Sequence, residues 1–157
     1  MKKTTLLFAI ILMVAGANAQ TYSTAVGAKF YTGNGSVGGL NIRHSTAEHT
    51  ALEGSLLFYS GGIGIEGLYE YQAPIEGAEG LQYFVGGGGM LGFGTGRYNY
   101  YNNRNSTSFA LRLTGGVDYK FADAPIAVSL AFDPFFYLAP YSGSNLALGI
   151  GIRYVLK

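Results

Sequence analysis

The sequence contains no cysteine and no tryptophan, and it has few charged residues. Without cysteine there is no disulfide scaffold, no thiolate metal site, no cysteine nucleophile and no lipid attached to an N-terminal cysteine. Charged residues make up 12% of the chain, about half the usual share. With 10 Lys and Arg against 9 Asp and Glu, the net charge of +1 gives no basic surface for nucleic acid.

Glycine and aromatic residues are abundant instead. The 157 residues include 25 glycines, 13 tyrosines and 10 phenylalanines, and the mean hydropathy is +0.20. An intrinsically disordered chain needs low hydrophobicity and high net charge, so this composition excludes one. The length suits a single domain with a sizeable core.

Residues 1–19 are predicted to be a secretory signal peptide. Two lysines precede an unbroken apolar run at 6–14, and Ala17-Asn18-Ala19 supplies an A-x-A cleavage site. The alternative is a retained membrane anchor, but the run is too short to cross a bilayer of about 30 Å as a helix. Cleavage before Gln20 leaves 20–157 as an exported domain. Since no apolar run of helix-spanning length follows, this domain can enter a membrane only as a closed β-barrel.

From residue 22 onward the hydrophobic pattern has a period of two, which is typical of β-strands. The even-numbered residues from Leu146 to Leu156 are all large and apolar, whereas the odd positions between them are Ala, Gly, Gly, Arg and Val. Turn residues separate eight such segments, which predicts an all-β, up-and-down antiparallel barrel. The predicted strands are 24–31, 37–44, 50–59, 62–72, 81–94, 109–121, 126–133 and 146–156.

Proline at position 134 complicates the seventh strand. Because proline cannot donate a hydrogen bond to a sheet ladder, Asp133-Pro134 is expected to mark an end or an irregularity. The strand either stops there or runs on through a bulge.

Two architectures fit eight alternating strands. A soluble ligand-binding barrel has its apolar face inside, whereas a membrane barrel has it outside. The less apolar face here is mostly Gly, Ala and Ser with single charges, and it lacks the many Lys and Glu of a solvated surface. An eight-stranded interior is just wide enough for side chains to fill. Small residues with a few long charged ones suit that interior, so the pattern favours a transmembrane barrel.

This assignment of inner and outer faces places ten charged residues inside the barrel, five of each sign, and none on the lipid-facing side. Isolated buried charges are costly, so these residues must pair. Hairpin register predicts that Arg43 faces Glu53 and that Arg153 lies near the level of Asp118. We interpret the set as a filling of the lumen; the alternative is a proton or ion path. The predicted lumen charges are Lys29, Arg43, Glu53, Glu66, Glu70, Arg112, Asp118, Lys120, Asp133 and Arg153.

The last strand reads Gly149-Ile150-Gly151-Ile152-Arg153-Tyr154, a glycine followed by spaced apolar and aromatic residues. With the stretches 51–54, 58–62 and 67–70, it resembles the small eight-stranded outer-membrane β-barrels of the OmpA/OmpX-like superfamily of Gram-negative bacteria. The sequence departs from that pattern at Lys157, where an aromatic residue is common.

This resemblance implies a monomer in the Gram-negative outer membrane, with both termini in the periplasm. Its implied partners are outer-membrane lipids, lipopolysaccharide and the outer-membrane assembly machinery. Aromatic residues near the strand ends, Phe135 among them, are expected to form interfacial girdles.

In that topology the long connection 94–108 faces the cell exterior. Its Tyr, Asn and Arg residues are of the kind that form adaptable binding surfaces. The alternative is that the tyrosines anchor the headgroup region and the asparagines only solvate the loop tip. The candidate surface-binding residues, for an unknown extracellular ligand, are Arg97, Tyr98, Tyr100, Tyr101 and Arg104.

Motifs that could carry chemistry are few. Residues 87–92 satisfy G-x-G-x-x-G, but a strand end follows where a nucleotide site needs a helix to begin, and small residues there leave room for Glu66 or Arg112 to cross the lumen. His44-Ser45 and His49 flank a predicted turn, which favours surface positions over a lipid-hydrolase site. Two histidines alone make no metal site. We expect no catalytic residue, metal or cofactor.

The sequence thus predicts a non-enzymatic, integral outer-membrane barrel with a charged, filled interior. Its expected role is envelope structure, or surface interaction through extracellular loops. Nucleic acid is not an expected partner. Three alternatives stay open: a small passive, porin-like channel, a lipid-modifying outer-membrane enzyme, and a soluble secreted ligand-binding barrel.

Overall fold

A computed structural model describes residues 23–33, 35–95, 105–140 and 142–156. The predicted signal peptide at 1–19 lies outside these ranges. The described residues form eight strands, namely β1 (Thr24–Gly33), β2 (Gly35–Ala47), β3 (Thr50–Tyr59), β4 (Gly62–Pro74), β5 (Leu81–Thr95), β6 (Asn105–Lys120), β7 (Ile126–Ala139) and β8 (Gly143–Leu156).

The strands close into one antiparallel barrel in which each strand pairs with its neighbours along the chain. β1 also pairs with β8, with Lys29 opposite Gly151, so the sheet has no open edge among the described strands. The predicted eight-stranded, up-and-down antiparallel barrel is confirmed. The described residues include no apolar helix of membrane-spanning length.

Side chains alternate across the barrel wall as the period-two pattern predicts. On β8, Ile150 and Ile152 are 42% and 51% exposed, whereas Arg153 is 1% exposed. Among the described residues, thirty-one large apolar or aromatic side chains are exposed on the outer face. The charged side chains of the strands point the other way, into the barrel.

β7 continues through Pro134 to its end five residues later. On one side of the proline Gly115 of β6 faces Phe132, and on the other Arg112 faces Phe135, in the same register. The strand therefore runs on past the proline with the predicted irregularity: its ladder with β6 is interrupted at Asp133 and Pro134, and the register shifts between Phe109 and Ala110, opposite residues 137–139. The missing N–H removes one possible ladder bond, but the pairing on both sides carries the chain through.

Several strands extend further toward one end of the barrel than the pattern predicts. β6 begins at Asn105 instead of 109, and β8 begins at Gly143 instead of 146. Residues 143–145 pair with residues 135–137 of β7. A Gly-Ser-Asn segment has no hydrophobic alternation, so only its partner strand reveals that it is extended.

The connectivity gives the barrel two distinct ends. The β1–β2, β3–β4, β5–β6 and β7–β8 connections lie at one end, called the hairpin end below. The first residue of β1, the last residue of β8 and the other three connections lie at the opposite end, called the terminal end.

Candidate functional site

Three layers of side chains occupy the interior. Near the terminal end, Ala25, Ala127 and Val155 pack together. Near the hairpin end lies an apolar cluster of Tyr31, Leu57, Met90, Phe135 and Ala147. Between them are nine charged residues, each at most 3% exposed: Lys29, Arg43, Glu53, Glu66, Glu70, Arg112, Asp118, Asp133 and Arg153.

Arg112 organises the part of this charge network that lies nearest the hairpin end. Its Nη1 is ion-paired with Glu66, and its Nη2 lies 3.4 Å from Asp133 Oδ1. Its Cζ is 3.4 Å from the ring centroid of Phe135 and 4.6 Å from that of Tyr31. The Tyr31 hydroxyl donates to Glu66 Oε1 at 2.7 Å. Two carboxylates and two aromatic faces thus replace the hydration of this guanidinium.

The other six buried charges form one continuous series of ion pairs. Arg153 lies 2.5 Å from Glu53 and 3.2 Å from Asp118. Arg43 lies 2.8 Å from Glu70 and 3.6 Å from Asp118. Lys29 pairs with the second oxygen of Glu53. Every member therefore has at least one partner of opposite sign, which burial of so many charges requires.

Two neutral side chains connect the two parts of the network. Arg153 Nε donates to Asn41 Oδ1 at 2.5 Å, and Asn41 Nδ2 donates to Ser55 Oγ at 3.0 Å. Ser55 Oγ in turn donates to Glu66 Oε1 at 3.2 Å. The charge pattern of the sequence does not single out Asn41 or Ser55. The available signal was their position two residues from Arg43 and Glu53, on the same face of each strand.

Lys120 differs from the other predicted lumen charges. It ends β6, is only half-buried and belongs to none of the seven ion pairs described above. Without it the buried set contains four cations and five carboxylates, one cation fewer than expected. The lysine lies where the barrel opens at its terminal end, within reach of solvent.

Aromatic rings also occupy the interior. The prediction that Phe135 belongs to an interfacial girdle is wrong, because this ring is 7% exposed and packs inside the barrel. Phe84 is buried as well, with its ring centroid 4.8 Å from Arg43 Cζ. Strand parity was the signal for Phe135, since it lies two residues beyond Asp133 and shares its face. Its proximity to the strand end masked that signal.

The histidines do not converge with a serine. His44 and Ser45 are consecutive strand residues and therefore point to opposite faces of the wall. His44 is exposed, with Nδ1 2.8 Å from Thr24 Oγ1, whereas Ser45 Oγ accepts a bond of 3.0 Å from Gln72 Nε2. The exposed His49 ring lies against Tyr71. Within the described ranges, no group of three or more His, Asp or Glu residues is arranged to hold a metal ion.

The glycine-rich segment 87–92 lies within the extended strand β5, so no helix begins at its last glycine. A Cβ at Gly88 would overlap the backbone carbonyl of Gly67 on β4. Glycine is needed there for the close approach of two backbones, and Gly88 also faces Arg112 in the β5–β6 ladder. At Gly149 on β8, a Cβ would overlap the Asp133 carboxylate, so glycine there makes room for a charged side chain.

The candidate surface-binding residues Arg97, Tyr98, Tyr100, Tyr101 and Arg104 lie outside the described residues. The described strands nevertheless fix the two ends of this connection. Thr95 faces Asn105 in the β5–β6 ladder, so both ends stand side by side at the hairpin end.

These observations define a closed eight-stranded β-barrel with ion-paired charges inside and an apolar outer wall. No family model matches the chain, and no curated protein matches its sequence. A solved structure that it is similar to is the crystal structure of the N-terminal β-barrel domain of Pseudomonas aeruginosa OprF. The TM-score is 0.67 at 18% sequence identity, over 85% of this chain and 98% of that one. The chain thus has the fold of the OprF barrel, as the resemblance to OmpA/OmpX-like proteins implied.

Proposed function

We propose that the protein is a non-enzymatic integral outer-membrane barrel of a Gram-negative bacterium, exported by a cleaved signal peptide. The observation that carries this proposal is the inverted distribution of side chains. Thirty-one large apolar or aromatic residues of the described part are exposed, while nine charged residues are buried. Water would penalise such an apolar surface, whereas the hydrocarbon core of a membrane requires it.

The filled interior supports a structural or surface-interaction role over solute passage. Arg43, Arg112 and Arg153 are at most 1% exposed, and the hairpin-end apolar cluster packs above the charge network. An eight-stranded barrel has no room for a wide channel once such side chains occupy it. The proposed partners are outer-membrane lipids, lipopolysaccharide and the assembly machinery, with the barrel acting as a monomer.

Cell fractionation tests the location. The protein should be found in the outer-membrane fraction, and the extracted protein should migrate differently in gels before and after heating. Its mass should correspond to a chain that begins at Gln20. Recovery from the soluble fraction, with no effect of heating on migration, would contradict the proposal and favour a soluble secreted barrel.

Two further measurements address the remaining alternatives. Planar-bilayer recordings should show no steady conductance, because the ion pairs and the apolar cluster block the lumen; a steady open pore would favour the passive channel. Mass analysis of lipid A from cells with and without the protein should show no difference. A protein-dependent change in lipid A would favour the enzyme.

Surface interaction through the β5–β6 connection is tested by replacing residues 97–104 with Gly and Ser at constant length. The paired strand ends Thr95 and Asn105 remain, so the barrel should still form and show heat-dependent migration. Binding to lipopolysaccharide or to cells should then decrease. Unchanged binding would exclude this connection as the interaction site.

A further inference from the structure

A cavity of about 360 Å³ lies at the hairpin end, directly above the apolar cluster. Tyr31, Leu57, Met90 and Phe135 form its floor and walls, and Ser36 and Ser60 are exposed at its mouth. Among the described residues, the cavity is closed toward the charge network, and its mouth lies at the end where the hairpin turns are.

Inward-facing glycines lie next to this space. On the inner face of β4 and β5, Gly62 faces Gly94 and Gly64 faces Gly92, so two consecutive inward positions of each strand have no side chain. The first atoms that a side chain at Gly64 would meet are those of Met90 and Tyr59, both of which line the cavity. Tyr59 and Met90 thus occupy the space beside these glycines and line the cavity, which is called the cup below.

The lining has a definite chemical character. None of the fourteen described residues that line it carries a formal charge, and eight of them are apolar or aromatic. The Phe135 ring packs edge-to-face with Tyr31 at 5.7 Å and stacks with Tyr137 at 6.2 Å between centroids. Arg112 lies against the rings of Phe135 and Tyr31 and is fully buried. A ligand in the cup would therefore meet aromatic surface, and hydroxyl and amide groups only toward the rim.

We propose that this cup is a binding site for a small, uncharged aromatic molecule of one or two rings that carries one hydrogen-bonding group. A dry cavity of about 150 Å³ holds benzene, and ligand pockets begin at about 300 Å³, so the volume suits this class. The aromatic walls favour a ring, while the uncharged character of the described lining residues disfavours an ion. This site goes beyond the proposed function. Only one property of it rests on that function, namely the side of the membrane to which the cavity opens.

Met90 provides a direct test. The chain has three methionines, and Met90 is the only one after residue 13, so loss of its signal in Met90→Leu assigns its labelled methyl resonance. Titration of the protein in detergent micelles with indole should shift this resonance saturably. The control is Leu91→Met, because residue 91 is the next in the strand and lies on the outer wall, 44% exposed. Its methyl should show only a small, non-saturating change from indole dissolved in detergent.

Two variants block the cup at different places. Ala147→Leu adds a branched side chain to its wall, and Ser60→Trp covers its mouth from a turn, where the strands are not disturbed. Each variant is first checked for heat-dependent gel migration. A folded variant should bind indole about tenfold more weakly, the scale on which overpacking acts.

A charged analogue, indole-3-acetate, should also bind about tenfold more weakly than indole, because the described lining residues of the cup offer no counter-charge. Parallel, non-saturating shifts at positions 90 and 91 would overturn the proposal, as would unchanged indole binding in both folded blocking variants. These results are independent of cell fractionation, so failure of the ligand site and failure of the membrane proposal are distinguishable.

Discussion

Arg43 and Glu53 face each other in the β2–β3 ladder, yet their charged groups have different partners. Arg43 pairs with Glu70 and Asp118, whereas Glu53 pairs with Lys29 and Arg153. In a barrel this narrow, long side chains reach across the lumen, so ladder register does not decide which charges meet. Most buried groups are shared between two partners, and loss of one group therefore affects several others.

The two lysines that the sequence assigns to the lumen should respond differently to substitution. Lys29→Met removes a cation that is 2% exposed and ion-paired with Glu53, and should lower the free energy of unfolding by about 3–5 kcal/mol. Lys120→Met removes a half-buried lysine outside these ion pairs and should cost less than about 1 kcal/mol. Because the chain has no tryptophan, urea unfolding in lipid vesicles is followed by gel mobility. Equal losses in the two variants would contradict the network.

Arg112 and Glu66 should be energetically coupled. Arg112→Met leaves Glu66 and Asp133 without their shared cation and should cost about 3–5 kcal/mol. Adding Glu66→Gln removes one stranded charge, so the double variant should be more stable than the sum of the single changes by about 1–3 kcal/mol. The matched control, Arg112→Met with Lys120→Met, should be additive within about 0.5 kcal/mol. Additivity in both pairs would exclude the ion pair as a source of stability.

Strand parity accounts for the part of the structure that the sequence predicts best. It places Ile150 outside and Arg153 inside, and turn spacing places Arg43 opposite Glu53. Both follow from local geometry, because a strand alternates faces and a short hairpin sets its own register.

The ion-pair partners and the strand ends could not be predicted in the same way. That Arg43 reaches Glu70 and Asp118 depends on strands that are distant in sequence and adjacent only after the barrel closes. Proximity to a strand end predicts an interfacial position for Phe135, but the strand continues past it and places its ring on Arg112. The hydrophobic pattern likewise does not reveal where a strand begins when its first residues are Gly, Ser and Asn, as in β8.

Two neighbouring glycines should differ in their tolerance of a methyl group. Gly88→Ala would place a Cβ against the backbone carbonyl of Gly67, which cannot move without separating two strands, so a loss of about 1–3 kcal/mol is expected. Gly67→Ala places its Cβ where nothing lies within 4 Å, and should change stability by no more than about 0.5 kcal/mol. Urea titration in vesicles measures both. A larger loss in Gly67→Ala than in Gly88→Ala would mean that the two strands are paired in a different register.

An arginine introduced at either of two positions along the outer wall tests whether that wall lies in a bilayer. Ile150 lies in the middle of β8, paired with Phe30 and Leu130, whereas Leu156 is the last residue of that strand. Their side chains are 42% and 41% exposed, so the two sites differ in position along the barrel and not in exposure. In a membrane, Ile150→Arg should cost about 2–4 kcal/mol and Leu156→Arg about 0–1 kcal/mol, because the penalty for an arginine falls from the bilayer centre to its interface.

The same pair of variants separates the membrane barrel from a soluble one. If the outer wall were in water, both arginines would be solvated, and each change would stay within about 0.5 kcal/mol. Unfolding free energies in vesicles provide the comparison, with heat-dependent gel migration confirming that both variants fold. A difference of at least about 1 kcal/mol between them would support insertion, since depth in a bilayer is the property in which the two exposed sites differ. Equal, small effects would contradict the proposal that this barrel spans a membrane.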